Sequence, residues 1–152
     1  MTRLLSALLV GWLALTAIAP ARAASLNRTI ALKASVATAC TVAVTDLGVA
    51  LDVVAGETAR QVGSVVENCN DGKGYSISVS SANSGKLKSG KDTVSFTTLY
   101  DGTTGNASGA VAVTRAKATF AKTAALAVTI PANAKTIAGS YSDTLTVTIK
   151  AK

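Results

Sequence analysis

From about residue 26 onward, apolar and polar residues alternate with a period of two, and no segment repeats with helical spacing. Residues 28–38 place Ile30, Leu32, Ala34 and Val36 on one face and Thr29, Ala31, Lys33 and Ser35 on the other. Tyr75, Ile77 and Val79 mark the inward face of a second strand. Val94, Phe96 and Tyr100 mark a third, Val111 and Val113 a fourth, and Leu126, Val128 and Ile130 a fifth. The final run is the cleanest, with Tyr141, Leu145, Val147 and Ile149 alternating against Ser142, Thr144, Thr146 and Thr148. Weaker strand patterns lie at Val42–Val44, Ala50–Val54 and Val62–Asn68, and the Ser/Gly/Lys stretch 80–92 reads as one long loop. β-Branched residues fill the runs, and Gly, Asn, Asp and Ser fill the gaps between them. Short strands at this spacing predict an all-β fold, an antiparallel β-sandwich.

The first residues follow a different rule. Arg3 supplies a positive start, Leu4 to Ile18 form an apolar run, and Ala21-Arg22-Ala23 offers a small-residue cleavage site. That is the pattern of a secretory signal peptide over residues 1–23, cut between Ala23 and Ala24. The apolar run is shorter than the roughly 18–20 residues of a membrane span. Export changes the meaning of the two cysteines. In an oxidising compartment Cys40 and Cys69 read as a structural disulfide closing a loop of about 30 residues, worth roughly 3–4 kcal/mol. A metal site would need further soft ligands, which a chain without His and with Met1 as its single Met does not offer.

Composition narrows the function. A chain of 152 residues supports one ordinary core. The absence of His removes His-based acid–base catalysis and Ser-His or Cys-His nucleophiles, so no catalytic residue, metal or cofactor is expected. Asp143 is an isolated carboxylate beside a strand, which suits a hydrogen-bond acceptor better than a catalyst. The net charge of +7 is scattered. Its one local group, Lys86, Lys88 and Lys91, has no interleaved aromatic residues for base stacking, which argues against nucleic acid as a partner. Trp12 lies in the leader, so the aromatic platform of a carbohydrate-binding module is also missing.

The two ends of the chain carry an expectation of their own. Strong alternation starts soon after the cleavage site, and the sequence stops shortly after the last apolar strand. The sandwich is therefore expected to have a spare strand at its start and to lack one at its end. A terminal strand that fits a neighbour's groove makes a head-to-tail contact.

Thr29 through Val42, running into the first cysteine, resembles the N-terminal donor segment of chaperone–usher pilin subunits. Within that class the chain is closest to archaic pili with a spore coat protein U domain. Asn68-Cys69-Asn70-Asp71-Gly72 with the following Tyr75–Val79 strand is similar to that family's second cysteine region. Leu99-Tyr100-Asp101 is similar to its mid-chain turn, and Ala138 to Ile149 to its closing Gly-x-Tyr-x-Asp-Thr signature. The ending Lys150-Ala151-Lys152 departs from the terminal aromatic of many such subunits. The related alpha-type fimbrial subunits also lack that aromatic, so the ending does not separate the archaic from the alpha-type subclass.

The resemblance implies an incomplete immunoglobulin-like sandwich lacking its last strand, completed by a donor strand. It divides the chain into a signal peptide (1–23), a donor strand region (24–38) and a pilin domain (39–152). Leu26, Ile30, Leu32, Ala34 and Val36 would be the donor residues, and Leu145, Val147 and Ile149 the acceptor edge that a chaperone also covers. The partners implied are other copies of the chain, other pilus subunits, a periplasmic pilus chaperone and an outer-membrane usher. The function implied is a structural subunit of a surface fibre for attachment and biofilm formation, exported through the periplasm. The alternatives are an exported spore or cell-surface coat protein and a monomeric surface-binding module.

Overall fold

The structure is a computed structural model that describes residues 25–152. The expected signal peptide and its cleavage point at Ala23 and Ala24 lie outside the described residues. Contacts divide the chain into two units, Met1–Ala34 and Ser35–Lys152. The described part of the first unit holds no helix or strand, and its residues are exposed.

The second unit is all-β and antiparallel. Its strands are β1 (Cys40–Asp46), β2 (Glu57–Cys69), β3 (Tyr75–Ser81), β4 (Lys86–Ser89), β5 (Asp92–Ser95), β6 (Thr97–Tyr100), β7 (Thr103–Thr104), β8 (Val111–Arg115), β9 (Thr119–Ile130) and β10 (Leu145–Ala151). A five-stranded sheet runs β1-β2-β9-β6-β7, a three-stranded sheet runs β10-β3-β8, and β4 pairs with β5 as a hairpin. Val65, Leu126 and Tyr100 of the first sheet pack against Tyr75, Ile77, Val79 and Val111 of the second. This is the expected immunoglobulin-like sandwich. Its sheets stay open, because β1 and β10 are both edge strands.

The strand pattern was right in kind and wrong in several boundaries. Residues 28–38 form no strand, because alternation becomes a strand only where the backbone finds a ladder. The run Val94, Phe96, Tyr100 is split: Val94 belongs to β5 and Tyr100 to β6, in different sheets. Phe96 sits at the break, its N–H donating to the Gly85 carbonyl at 2.9 Å. The stretch 80–92 is not one loop, since Lys86–Ser89 pairs with Asp92–Ser95. There Leu87 and Val94 turn inward, and Lys86 and Lys88 face solvent on a strand. Ala50–Val54 holds no strand. Asp52 folds it into a turn by accepting from the N–H groups of Val54 at 2.9 Å and Ala55 at 2.8 Å. The last strand starts at Leu145, and Tyr141 lies before it.

Cys40 opens β1, Cys69 closes β2, and the two are disulfide-bonded across the register. Beside them lies a feature that the sequence reading did not find. The Glu67 carboxylate has no solvent exposure. It accepts from the Tyr75 and Tyr100 hydroxyls, each at 2.7 Å, and from Arg115 Nε at 2.9 Å and an Arg115 terminal nitrogen at 2.7 Å. Glu67 and Tyr100 stand on one sheet, Tyr75 and Arg115 on the other. Asp101 extends the cluster, pairing with Arg115 at 2.8 Å and Lys122 at 3.0 Å. It is held there by a tight turn with Asp101 at φ 48° and Gly102 at φ 79°. Gly74 backs the cluster, since a Cβ there would collide with the Arg115 carbonyl.

Burial would raise the Glu67 pKa, but the bonds from Arg115, Tyr75 and Tyr100 outweigh it and bring the value down to about 2. Burial and the Glu67 charge raise both phenols, so they stay donors. A carboxylate with a lowered folded pKa stabilises the fold above its unfolded value and loses that contribution as the pH falls. Stability should therefore decline between pH 4.5 and about 2, by on the order of 3 kcal/mol from this group. Glu67→Gln should flatten that part of a pH series of urea melts and lower stability at neutral pH. Cys40→Ser should cost about 2–5 kcal/mol in the same melts, with the loss reproduced in wild type by reductant.

Candidate functional site

The two edge strands define the site. Along β1 the inward positions are Cys40, Val42, Val44 and Asp46, set by the pairing with β2. Cys40 and Val42 pack on the core, yet Val44 on the same face is 53% exposed. Along β10, Leu145, Val147 and Ile149 lean on the core and are only half-buried, while Thr146, Thr148 and Lys150 face solvent. Side chains that alternate inward and remain uncovered border a space where no strand of the described residues lies.

That space is a groove of about 390 Å³. Val44, Asp46, Val49 and Leu51 form one wall, and Asp143, Thr144 and Leu145 form the other. Its floor is Val62, Leu87, Phe96, Leu126 and Val128. Of the residues expected at an acceptor edge, Leu145 lines the groove, whereas Val147 and Ile149 continue the same strand face against the core. The floor and the β1 wall were missed. The Val42–Val44 alternation was visible in sequence, but that β1 would be an edge strand was not.

The closing signature builds the β10 wall. The Asp143 carboxylate accepts from the Ser81 hydroxyl at 2.5 Å and the Asn83 N–H at 2.9 Å, which locks the turn after β3 to the start of β10. Ser142 and Lys88 exchange backbone hydrogen bonds, each at 3.0 Å, so the β4–β5 hairpin is tied to the same point. The Tyr141 hydroxyl donates to the Ile137 carbonyl at 2.8 Å. Asp143 is thus an acceptor in a structural junction. Of the aromatic residues, Tyr75, Phe96 and Tyr100 are buried and Phe120 is exposed.

The expected donor residues show the opposite behaviour to a core strand. Leu26, Ile30, Leu32 and Val36 are 80–91% exposed, and Ala34 is exposed as well. Large aliphatic side chains left in water over such a length are costly.

An antiparallel sandwich with an open apolar groove and an exposed alternating segment is the class of protein that these residues define. The chain belongs to the spore coat protein U domain family, whose model matches residues 26–148. No curated protein matches it. Among solved structures it is similar to the Escherichia coli Hda pilus minor tip subunit HdaB, at 7% identity and a TM-score of 0.41, over 72% of this chain and 79% of that one.

An open groove makes its wall and floor respond differently to substitution. Phe96→Ala removes a buried floor residue and should cost about 3–5 kcal/mol. Val44→Thr, at a position already half in water, should stay within about 0.5 kcal/mol. Urea melts of the two variants measure both.

Proposed function

We propose that the chain is a structural subunit of a surface pilus, joined head to tail with its neighbours by donor-strand exchange. The observation that carries this reading is the pairing of an uncovered groove with an uncovered segment of matching alternation. Val44 and Leu145 border apolar space, and Leu26, Ile30, Leu32 and Val36 are exposed. Leu26–Val36 extended spans roughly 35 Å, more than the roughly 23 Å of a strand as long as β10. A strand laid between β1 and β10 would satisfy both edges and place alternate side chains on the floor, each burial contributing roughly 1.5–3 kcal/mol.

On this reading, a periplasmic chaperone covers the groove until an outer-membrane usher exchanges its strand for the next subunit's donor segment. The signal peptide at 1–23 starts the route, and the fibre on the cell surface, serving attachment and biofilm formation, ends it. The spore coat description of the family favours one second reading, an exported coat protein assembled without a defined fibre.

The test is a pair of substitutions on opposite faces of the segment. Leu32→Asp should block polymerisation while leaving chaperone binding intact, because the chaperone occupies this chain's groove and not its extension. Lys33→Asp should be tolerated. Electron microscopy of chains assembled with a chaperone and usher gives the answer. Exchanged outcomes would mean a register one residue off; normal fibres from both would overturn the donor-strand reading. Amorphous surface material from the wild type would favour the coat.

A further inference from the structure

The donor reading leaves open how the segment is attached to its own domain, and the residues beside the disulfide answer it. Asn70 follows Cys69 and uses its backbone and both ends of its side-chain amide on one short stretch. Its N–H donates to the Ala39 carbonyl at 3.1 Å. Its Oδ1 accepts from the Ala39 N–H at 2.7 Å, and its Nδ2 donates to the Ala37 carbonyl at 2.8 Å. Asn70 is itself held from both sides. The Cys40–Cys69 bridge lies immediately before it. Asp71 after it closes the turn, accepting from the Lys73 N–H at 2.9 Å through its side chain and from the Gly74 N–H at 3.0 Å through its carbonyl.

The β1–β2 ladder ends at the Cys40 and Cys69 pair. Without the Asn70 side chain the next fixed point of the chain would be the Ala39 carbonyl, held by the Asn70 N–H. With it, the fixed point moves outward to Ala37, which directly follows Val36, the last of the alternating apolar residues. The amide matches its two acceptor and donor partners in one orientation only, since Oδ1 must face an N–H and Nδ2 a carbonyl.

We propose that Asn70 is a positioning residue that clamps the root of the donor segment and removes the slack between a subunit and the groove its segment fills. This rests on the donor-strand reading. Losing the side-chain amide would free residues 37 and 38, about 7 Å of extended chain, while the Asn70 N–H still holds the Ala39 carbonyl. The joint between consecutive subunits would then behave as a flexible linker, with a lower effective concentration of the segment at its groove.

Two measurements test it separately from that reading. In the subunit stabilised by a synthetic peptide of residues 25–36, nitrogen-15 relaxation should give the Thr38 amide, which shares its peptide plane with the Ala37 carbonyl, an order parameter of about 0.85, falling below about 0.6 in Asn70→Ala. Asn70→Asp, which keeps the acceptor and loses the donor, should fall between them. Peptide affinity should be equal in all three. In assembled fibres, Asn70→Ala should shorten the persistence length seen by electron microscopy. A Gly-Ser insertion between Val36 and Ala37, which adds slack above an intact clamp, should do the same and covers the case in which Asn70→Ala fails to fold. An unchanged Thr38 order parameter, or fibres of wild-type stiffness from both the variant and the insertion, would overturn the clamp. Failure of the peptide to bind wild type would overturn the donor-strand reading, while the relaxation data still report on Asn70.

Discussion

A carboxylate taken wholly out of water is tolerable only if donors replace the water it loses, and Glu67 sets that condition for this fold. Its donors come from both sheets: Tyr100 shares its sheet, and Tyr75 and Arg115 stand on the one opposite. The sheets must therefore meet in one relative position at this end of the sandwich. The neighbouring disulfide and the Arg115–Asp101–Lys122 chain of ion pairs reinforce the same end. Removing either charge of the central pair would strand the other in a poorly hydrated site.

The other end is built differently. Leu145 pairs with Ser81, at the opposite end of β3 from Tyr75, and here the sheets are separated by apolar space rather than joined by a polar cluster. The β10 wall is fixed by short-range bonds: Asp143 to Ser81 and Asn83, and Ser142 to Lys88. The β4–β5 hairpin supplies Leu87 as part of the floor. These bonds account for the polar residues of the closing signature around Asp143 beside an apolar groove.

An open groove and an exposed apolar segment on one chain are each a liability taken alone, because unpaired edges and uncovered aliphatic residues favour aggregation. On the proposed donor-strand reading each covers the other in a neighbouring subunit. The period of two is common to both, so a segment that leaves water by entering a groove satisfies backbone and side chains in the same step.

Much of this was legible in the sequence. The alternation of Tyr75–Val79 and Leu145–Ile149, the inward sets of β8 and β9 and the cysteine pair all follow from local chemistry, since strand period and burial preference are written residue by residue. The Glu67 cluster was not legible. A lone Glu in a strand and an Arg far along the chain give no local sign that they will meet. Nor did the pattern tell that residues 94 to 100 would divide between two sheets, that Lys86 and Lys88 would lie on a strand, or that β1 would form a groove wall. Sequence alone determined which residues can form strands and which face of each is apolar. Tertiary structure decided which strands pair, which edges stay open and which polar groups are buried together, because those depend on long-range hydrogen bonding and packing that no local periodicity encodes.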